Sequence, residues 1–251
     1  MIEKLIDIVR KTEQPILDIY NSDRFDVEIK GDNSPLTRAD KLSNDIILGG
    51  LKSHFPDIPV ISEEGKDTPY EKRKGYSKFF LVDPLDGTKE FIKKNGEFTV
   101  NVALIENNRP VLGVISAPVL IDLYYGSLEG GAYKIHEGSK EKIQVDPNID
   151  NGVVTVQSRS HSGEAEKEFY SEFKVADSIS KGSSLKFCMV AEGKAHLYFR
   201  SGPTMEWDTA AGHAILESAG GFVYTGKKAF TYNKEILKNP GFVASSFDLY
   251  E

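Results

Sequence analysis

A chain of 251 residues with 39% hydrophobic and 27% charged side chains has the make-up of a soluble globular protein, long enough for one large domain or two smaller ones. A formal net charge of −7 and an isoelectric point of about 5.4 exclude general attraction to nucleic acid or to acidic membranes, so an anionic substrate needs bound cations and a few local basic groups. The single cysteine, Cys188, excludes an intrachain disulfide and a cysteine-based zinc site; with no signal-peptide pattern and no membrane-length apolar run, a cytoplasmic protein is predicted.

In chain order, Ile2, Leu5, Ile6 and Val9 recur at helical spacing, and Ile16, Leu17, Ile19 and Tyr20 continue that face beyond Pro15. The proline is expected to kink or divide the helix. Residues 25–30 alternate like a short strand. The turn-rich GDNSPLTRAD leads into a helix bearing Leu42, Ile46, Ile47 and Leu51, with Thr37 and Asp40 on one face at its start. Asp40 reads either as a charge partner of the helix N-terminus or as a functional acid. A strand over 59–62 ends in Glu63-Glu64-Gly65, and the charged stretch 66–78 is predicted to be a surface loop or flap.

Next comes KFFLVDPLDGTKEFIKKNGEFTVN, residues 78–101. Phe79 to Val82 read as a buried strand. Asp83 and Asp86 follow it, three apart with Pro84 between them, and a sharp turn there brings both carboxylates to one point. The Leu85 carbonyl can join them as a hard oxygen donor suited to Mg²⁺. Gly87 and Thr88 lie where a helix can begin, with backbone N–H groups that suit a phosphate oxygen. Beyond this stretch, strands at 98–105 and 111–117 join across Asn107-Asn108, and a hairpin at 123–125 and 131–135 turns at Glu129-Gly130. The turn composition of VDPNIDNG divides the chain into an α+β part, 1–148, and an α/β part, 149–251. In the second part, strand 153–157 is followed by SRSH and a charged helix at 164–173. An apolar helix, 183–192, buries Cys188, and strand 195–199 ends in Arg200. A helix at 207–218 is stopped by Gly220 and Gly221, before closing strands at 222–224 and 241–244.

Four acids stand at strand ends or at a helix start: Glu63, Asp83, Asp86 and Asp208. Brought together, they suit two or more Mg²⁺ ions spaced for in-line phosphate displacement. A phosphatase of the haloacid-dehalogenase type is a poor fit, because its DxDGT motif needs one residue between the aspartates and here there are two.

The central stretch, with ISEEG before it and WDTAAGHAILESAGG after it, resembles the lithium-sensitive, magnesium-dependent inositol monophosphatase superfamily. DPLDGTKEFIKKNGEFTVN, KGSSLKFCMVAEGKAHLY and NPGF are similar to its bacterial 3′(2′),5′-bisphosphate nucleotidase branch. The resemblance spans essentially the whole chain. It implies a layered αβαβα fold, α+β then α/β, with the site between the two parts. It also implies two or three Mg²⁺ ions held by Glu63, Asp83, the Leu85 carbonyl, Asp86 and Asp208, with Glu64 in support. Thr88 and Asp40 match the pair that orients the attacking water, with Glu63 helping to hold the ion that carries it. Substrate contacts fall on Leu85, Asp86, Gly87, Thr88 and Asp208, and His161, Ser183, Lys186 and Arg200 match residues that hold the adenosine and the 5′-phosphate. Lys186 otherwise reads as a solvated helix residue, and Arg200 as a surface partner of Glu206.

The implied activity is hydrolysis of the 3′-phosphate of adenosine 3′,5′-bisphosphate, and of its sulfated form, in sulfur assimilation and nucleotide recycling. The partner is a small nucleotide and not a nucleic acid polymer; peripheral association with the cytoplasmic face of the inner membrane and the oligomeric state stay open. The alternatives are an inositol monophosphatase or sugar bisphosphatase with a different pocket, and a non-catalytic Mg²⁺-dependent nucleotide-binding protein.

Overall fold

The computed structural model describes residues 1–22, 25–29, 35–65, 68–159 and 163–250. The first helix, α1 (Ile2–Asn21), carries Pro15 in its interior and is not divided by it. The proline removes one backbone hydrogen bond, but Ile16, Ile19 and Tyr20 beyond it are buried in the same cluster as Leu5, Ile8 and Val9, and this shared burial keeps the helix whole. Of the strand predicted at 25–30, only β1 (Glu28–Ile29) forms, pairing with β2 (Pro35–Leu36); Lys30 lies outside the described residues. Thr37 and Asp40 form a reciprocal capping box that starts α2 (Arg38–His54).

A seven-stranded sheet follows. Its strands are β3 (Val60–Ser62), β4 (Lys78–Asp86), β5 (Thr99–Glu106), β6 (Arg109–Ala117), β7 (Asp122–Ser127), β8 (Gly131–His136) and β9 (Ser139–Ile143), adjacent in chain order. β3 is parallel to β4, and every later pair is antiparallel. Asn107 and Asn108, both at positive φ, make the predicted turn between β5 and β6. Short helices flank the central strand: α3 (Tyr70–Arg73) before it and α4 (Thr88–Ile92) after it. The stretch predicted to be a loop or flap is therefore partly helical, and its Arg73 is only 3% exposed; Lys66 and Asp67 lie outside the described residues.

The second sheet holds six strands: β10 (Val153–Ser158), β11 (Val175–Lys181), β12 (Leu197–Arg200), β13 (Phe222–Thr225), β14 (Lys228–Ala229) and β15 (Phe242–Ser245), in the order β11-β10-β12-β15-β13-β14. β11, β10 and β12 are parallel, so each return needs a crossover. α5 (Glu164–Ser171) and α6 (Leu185–Ala191) supply them, and α7 (Glu206–Ser218) precedes β13.

Period-two alternation along β4 sorts the layers. Phe80 and Val82 point into a core with α1 and α2. Phe79 and Leu81 point into a second core with Phe187 and Cys188 of α6, Ala211 and Ile215 of α7, and Tyr198 and Phe242 of the second sheet. Tyr170 of α5 covers that sheet's far face with Leu197 and Val243. The stack is therefore helix, sheet, helix, sheet, helix, the αβαβα arrangement expected. α7 lies tight on the first sheet: a Cβ on Gly113 would stand 2.3 Å from the Ala211 carbonyl oxygen. That close approach sets where the start of α7 falls. Among the described residues no helix is long and apolar enough to cross a membrane.

Candidate active site

The strand predicted to stop at Val82 runs on to Asp86. Asp83 pairs with Asn101 and Asp86 with Thr99, three steps on β4 against two on β5. On a regular strand, residues three apart point to opposite faces; one extra residue in a bulge restores the phase. The bulge, not a turn, therefore puts both carboxylates on the face shared by Thr99 and Asn101. That face looks toward the turn before α6. Ser183 Oγ donates to Asp86 Oδ2 at 2.6 Å, and Ser184 Oγ donates to Asn101 Oδ1 at 2.8 Å. Thr99 Oγ1 touches both serine hydroxyls, at 2.5 and 2.8 Å. From the other side, Ser43 Oγ of α2 donates to the Pro84 carbonyl at 2.7 Å, and Asp83 Oδ1 accepts the Leu85 amide at 3.1 Å.

Glu63 stands just past β3, its amide bonded to the Val82 carbonyl at 3.1 Å and its carboxyl within hydrogen-bonding reach of Asp83. Asp208 arrives from the first turn of α7, where its Oδ2 accepts the Met205 amide at 2.8 Å. Burial, then the charges of Glu63, Asp86 and Asp208, push the Asp83 carboxyl well above the usual range. Asp208 is pushed well up by burial and by Asp86, against the pull of the Met205 amide. Burial also raises Asp86, opposed by Ser183 and Lys186. Among the described residues no three acids, histidines or cysteines are already gathered closely enough to hold an ion, yet Glu63 reaches Asp83 and the charges of Asp86 and Asp208 act on it. Buried like charges of this kind repel unless cations enter, and their donors are all hard oxygens. The residues fit divalent cations.

Asp40 both caps its helix and reaches Thr88. Its Oδ2 caps α2, accepting the Thr37 amide at 2.8 Å and the Thr37 hydroxyl at 2.5 Å. Its Oδ1 accepts from Thr88 Oγ1 at 3.3 Å, and Thr88 also lies 3.4 Å from the Leu85 carbonyl. Burial pushes the Asp40 carboxyl up, against the two bonds from Thr37, with Glu64 adding repulsion. Gly87, at φ 90°, is the left-handed N-cap that starts α4, a conformation costly for other residues.

A cavity of about 320 Å³ opens above this floor, lined by Asp86, Gly87, Thr88, Ser183, Lys186, Arg200 and Asp208 among others. Lys186 and Arg200 are buried, 5% and 8% exposed, which overturns the readings of a solvated helix residue and a surface partner of Glu206. Glu206 is itself fully buried and pairs with Lys234 at 2.6 Å. Lys186 Nζ donates to the Ser183 carbonyl and sits 5.3 Å from the centre of the Tyr198 ring; burial, opposed by Asp86, brings its pKa down to about 8. Ser183 precedes α6, not within it, at φ 53°. His161 lies outside the described residues.

Sequence reading missed several supports of this site. Ser43 and Asn44, which accepts from Ser62 Oγ at 2.7 Å, follow Asp40 by three and four residues, so helical spacing could have found them. Thr99 and Asn101 share a strand face in the same way. Glu97 gave no local signal: it accepts from Arg159 at 2.9 and 3.0 Å and from the Gly182 amide at 2.9 Å, partners distant in sequence.

The five-layer fold, with acids brought together from the end of β3, from β4 and from the first turn of α7, is that of the inositol monophosphatase family, which the chain matches over residues 1–249 and to which it belongs. Within it the chain is similar to the 3′(2′),5′-bisphosphate nucleotidase CysQ of Escherichia coli (strain K12), 45% identical over 251 residues, covering 98% of this chain and all of that protein. The CysQ of Salmonella typhimurium is 47% identical over 246 residues, covering 96% and 98%. The crystal structure of CysQ from Bacteroides thetaiotaomicron aligns with a TM-score of 0.86 at 42% identity, covering 98% of this chain and 97% of that one.

Proposed function

We propose that this chain is a divalent-cation-dependent 3′(2′),5′-bisphosphate nucleotidase that hydrolyses the 3′-phosphate of adenosine 3′,5′-bisphosphate to AMP, and acts in the same way on the 5′-sulfated form. The observation that carries this reading is the convergence of Asp83 and Asp86, phased by the bulge, with Glu63 and Asp208 beneath a cavity walled by buried Lys186 and Arg200. Glu63, Asp83, the Leu85 carbonyl, Asp86 and Asp208 would hold the ions, and their oxygen donors favour two or three Mg²⁺. When bound, such ions supply Lewis-acid stabilisation of the charge that develops on phosphoryl and leaving oxygens.

The chain's own groups do the rest. The Thr88 hydroxyl donates to Asp40, so its lone pair is turned outward to accept a proton from water. As the water oxygen attacks phosphorus, that proton passes to Thr88 and the Thr88 proton passes to Asp40. Burial raises the basicity of Asp40, which suits it to this task. The bond from phosphorus to the 3′-oxygen breaks, the leaving oxygen takes a proton from a solvent water, and the hydroxide so formed is neutralised when Asp40 returns its proton to solvent. Water attacks directly, so no phosphoenzyme forms. The N–H groups at Gly87 and Thr88 hold the reacting phosphate at the start of α4. The buried cations Lys186 and Arg200 hold the non-reacting 5′-phosphate and favour a bisphosphorylated nucleotide over a simple monoester.

Phosphate release from adenosine 3′,5′-bisphosphate, its 5′-sulfated form and inositol 1-phosphate, each with and without Mg²⁺, tests the proposal. The nucleotides should be preferred and release should require the ion. A preference for inositol 1-phosphate would overturn the nucleotide assignment, and no release from any of the three would overturn the phosphatase.

A further inference from the structure

The first turn of α7, which presents Asp208, is supported from outside by one segment of chain, residues 233–239. Asn239 Nδ2 donates to the Met205 carbonyl at 2.7 Å and to the Thr204 and Thr209 hydroxyls at 3.0 and 3.1 Å. Met205 and Lys238 form a β-bridge, and the Glu206 amide bonds to the Leu237 carbonyl at 2.9 Å. The fully buried Glu206 carboxylate accepts the Asn233 and Lys234 amides at 2.8 and 2.9 Å.

Arg73 grips the other side of that segment. Its guanidinium donates to Asn233 Oδ1 at 3.0 Å and to the Lys234 and Glu235 carbonyls at 2.6 and 2.7 Å. Asn233 Nδ2 returns a bond to the Arg73 carbonyl at 2.9 Å. Arg73 belongs to the stretch between Glu63 and the central strand. The clasp therefore ties the stretch that follows Glu63 to the chain that holds up Asp208, two acids whose charges both act on Asp83.

We infer that Arg73 is a positioning residue for the cation site: it fixes the span across which Glu63 and Asp208 share ions, and touches neither ion nor nucleotide. The guanidinium suits this role because its planar fork spreads its donors in a fixed geometry across separate acceptors, where an ammonium offers rotatable donors from a single atom. Residues whose bonds fix a ligand's supporting backbone commonly change metal affinity about ten- to a hundredfold when removed. This inference rests on reading Glu63, Asp83, Asp86 and Asp208 as the ion site.

The test is Arg73→Ala and Arg73→Lys in the full chain, with Asn233→Ala as a milder cut of the same clasp should Arg73→Ala fail to fold. Two readouts are used: the Mg²⁺ concentration for half-maximal turnover, and hydrogen exchange at residues 206–209 and 233–235. Arg73→Ala should raise the half-saturating Mg²⁺ by about tenfold or more, with kcat at saturating ion and KM for the nucleotide within about twofold. Exchange should speed up at both segments but not in the seven-stranded sheet, and Arg73→Lys should fall between wild type and Arg73→Ala. An unchanged Mg²⁺ requirement despite faster exchange, in Arg73→Ala or Asn233→Ala, would overturn the inference and leave a purely structural clasp. A wild-type enzyme indifferent to divalent ions would overturn the site reading beneath it.

Discussion

Asp40→Asn separates the two roles that meet at one side chain. The native carboxylate gives Oδ2 to the helix cap and Oδ1 to Thr88. Asparagine keeps one acceptor oxygen, which stays on the Thr37 amide, and turns its NH₂ toward Thr88. The capping box survives, whereas Asp40→Ala loses the Asp40 half of it and keeps only the bond from the Ala39 amide to Thr37 Oγ1. Burial raises the Asp40 pKa in the folded chain, so its contribution to stability falls as pH rises from the unfolded value through the folded one. The uncharged amide escapes that loss, and Asp40→Asn should melt at or above the wild-type temperature at neutral pH. Turnover is another matter. The amide cannot take a proton from Thr88, and loss of a positioned base costs about 10²–10⁴ in rate. Steady-state phosphate release at saturating Mg²⁺ and nucleotide, beside thermal melts of the same samples, reads both effects. Thr88→Ala should lose a similar factor, and the double variant should be little worse than either, because the two act as a unit. A folded Asp40→Asn enzyme within tenfold of wild-type kcat would refute the relay.

Three further outcomes follow from the geometry. Asp86→Asn and Asp208→Asn should abolish turnover yet raise the melting temperature in the absence of ions, since each relieves repulsion among buried carboxylates, and added Mg²⁺ should no longer stabilise either; a stabilisation equal to wild type would count against their role as ligands. Lys186→Met or Arg200→Ala should lower kcat/KM for adenosine 3′,5′-bisphosphate by about ten- to a hundredfold and leave simple monophosphates little changed, so an equal loss on both would assign these cations to the fold. For Glu97, burial works to raise the pKa, but the bonds from Arg159 and the Gly182 amide and the charge of Lys181 outweigh it and hold the carboxyl below its usual 4.5; the stability it adds is present above that value and lost as pH falls through the folded pKa, so acid unfolding of Glu97→Gln, compared with wild type, should lack that part of the pH dependence.

The site was legible where its chemistry is local. Asp83, Asp86 and Thr88 sit within six residues, and the Asp40 cap obeys a helix-start rule readable from Thr37 alone. The geometry that joins them was less so. DPLD looks like a turn because Pro84 and the spacing suggest one, and only the register against Thr99 and Asn101 reveals a bulge. Arg73 sits in EKRKG, a run with every mark of a solvated surface, and the acceptors of its Nη1 and Nη2 groups lie 160 to 162 residues further on. β9 and β11 were missed for a related reason. SKEKI and VADSISK are mostly exposed, so neither shows the apolar alternation by which strands such as β5 announce themselves.

The place of β15 has a consequence for how the chain is made. The seven-stranded sheet has all its strands once residue 143 has left the ribosome, whereas the second sheet waits for Phe242–Ser245, which slot between β12 and β13. Until α7 and that last strand arrive, Phe79, Leu81, Ile105 and Ile115 have no complete apolar cover. Synthesis at ~5–20 residues per second makes that an interval of several seconds. During it the nascent chain displays one greasy sheet face, the natural station for a chaperone, and the candidate active-site cleft is among the last things to exist.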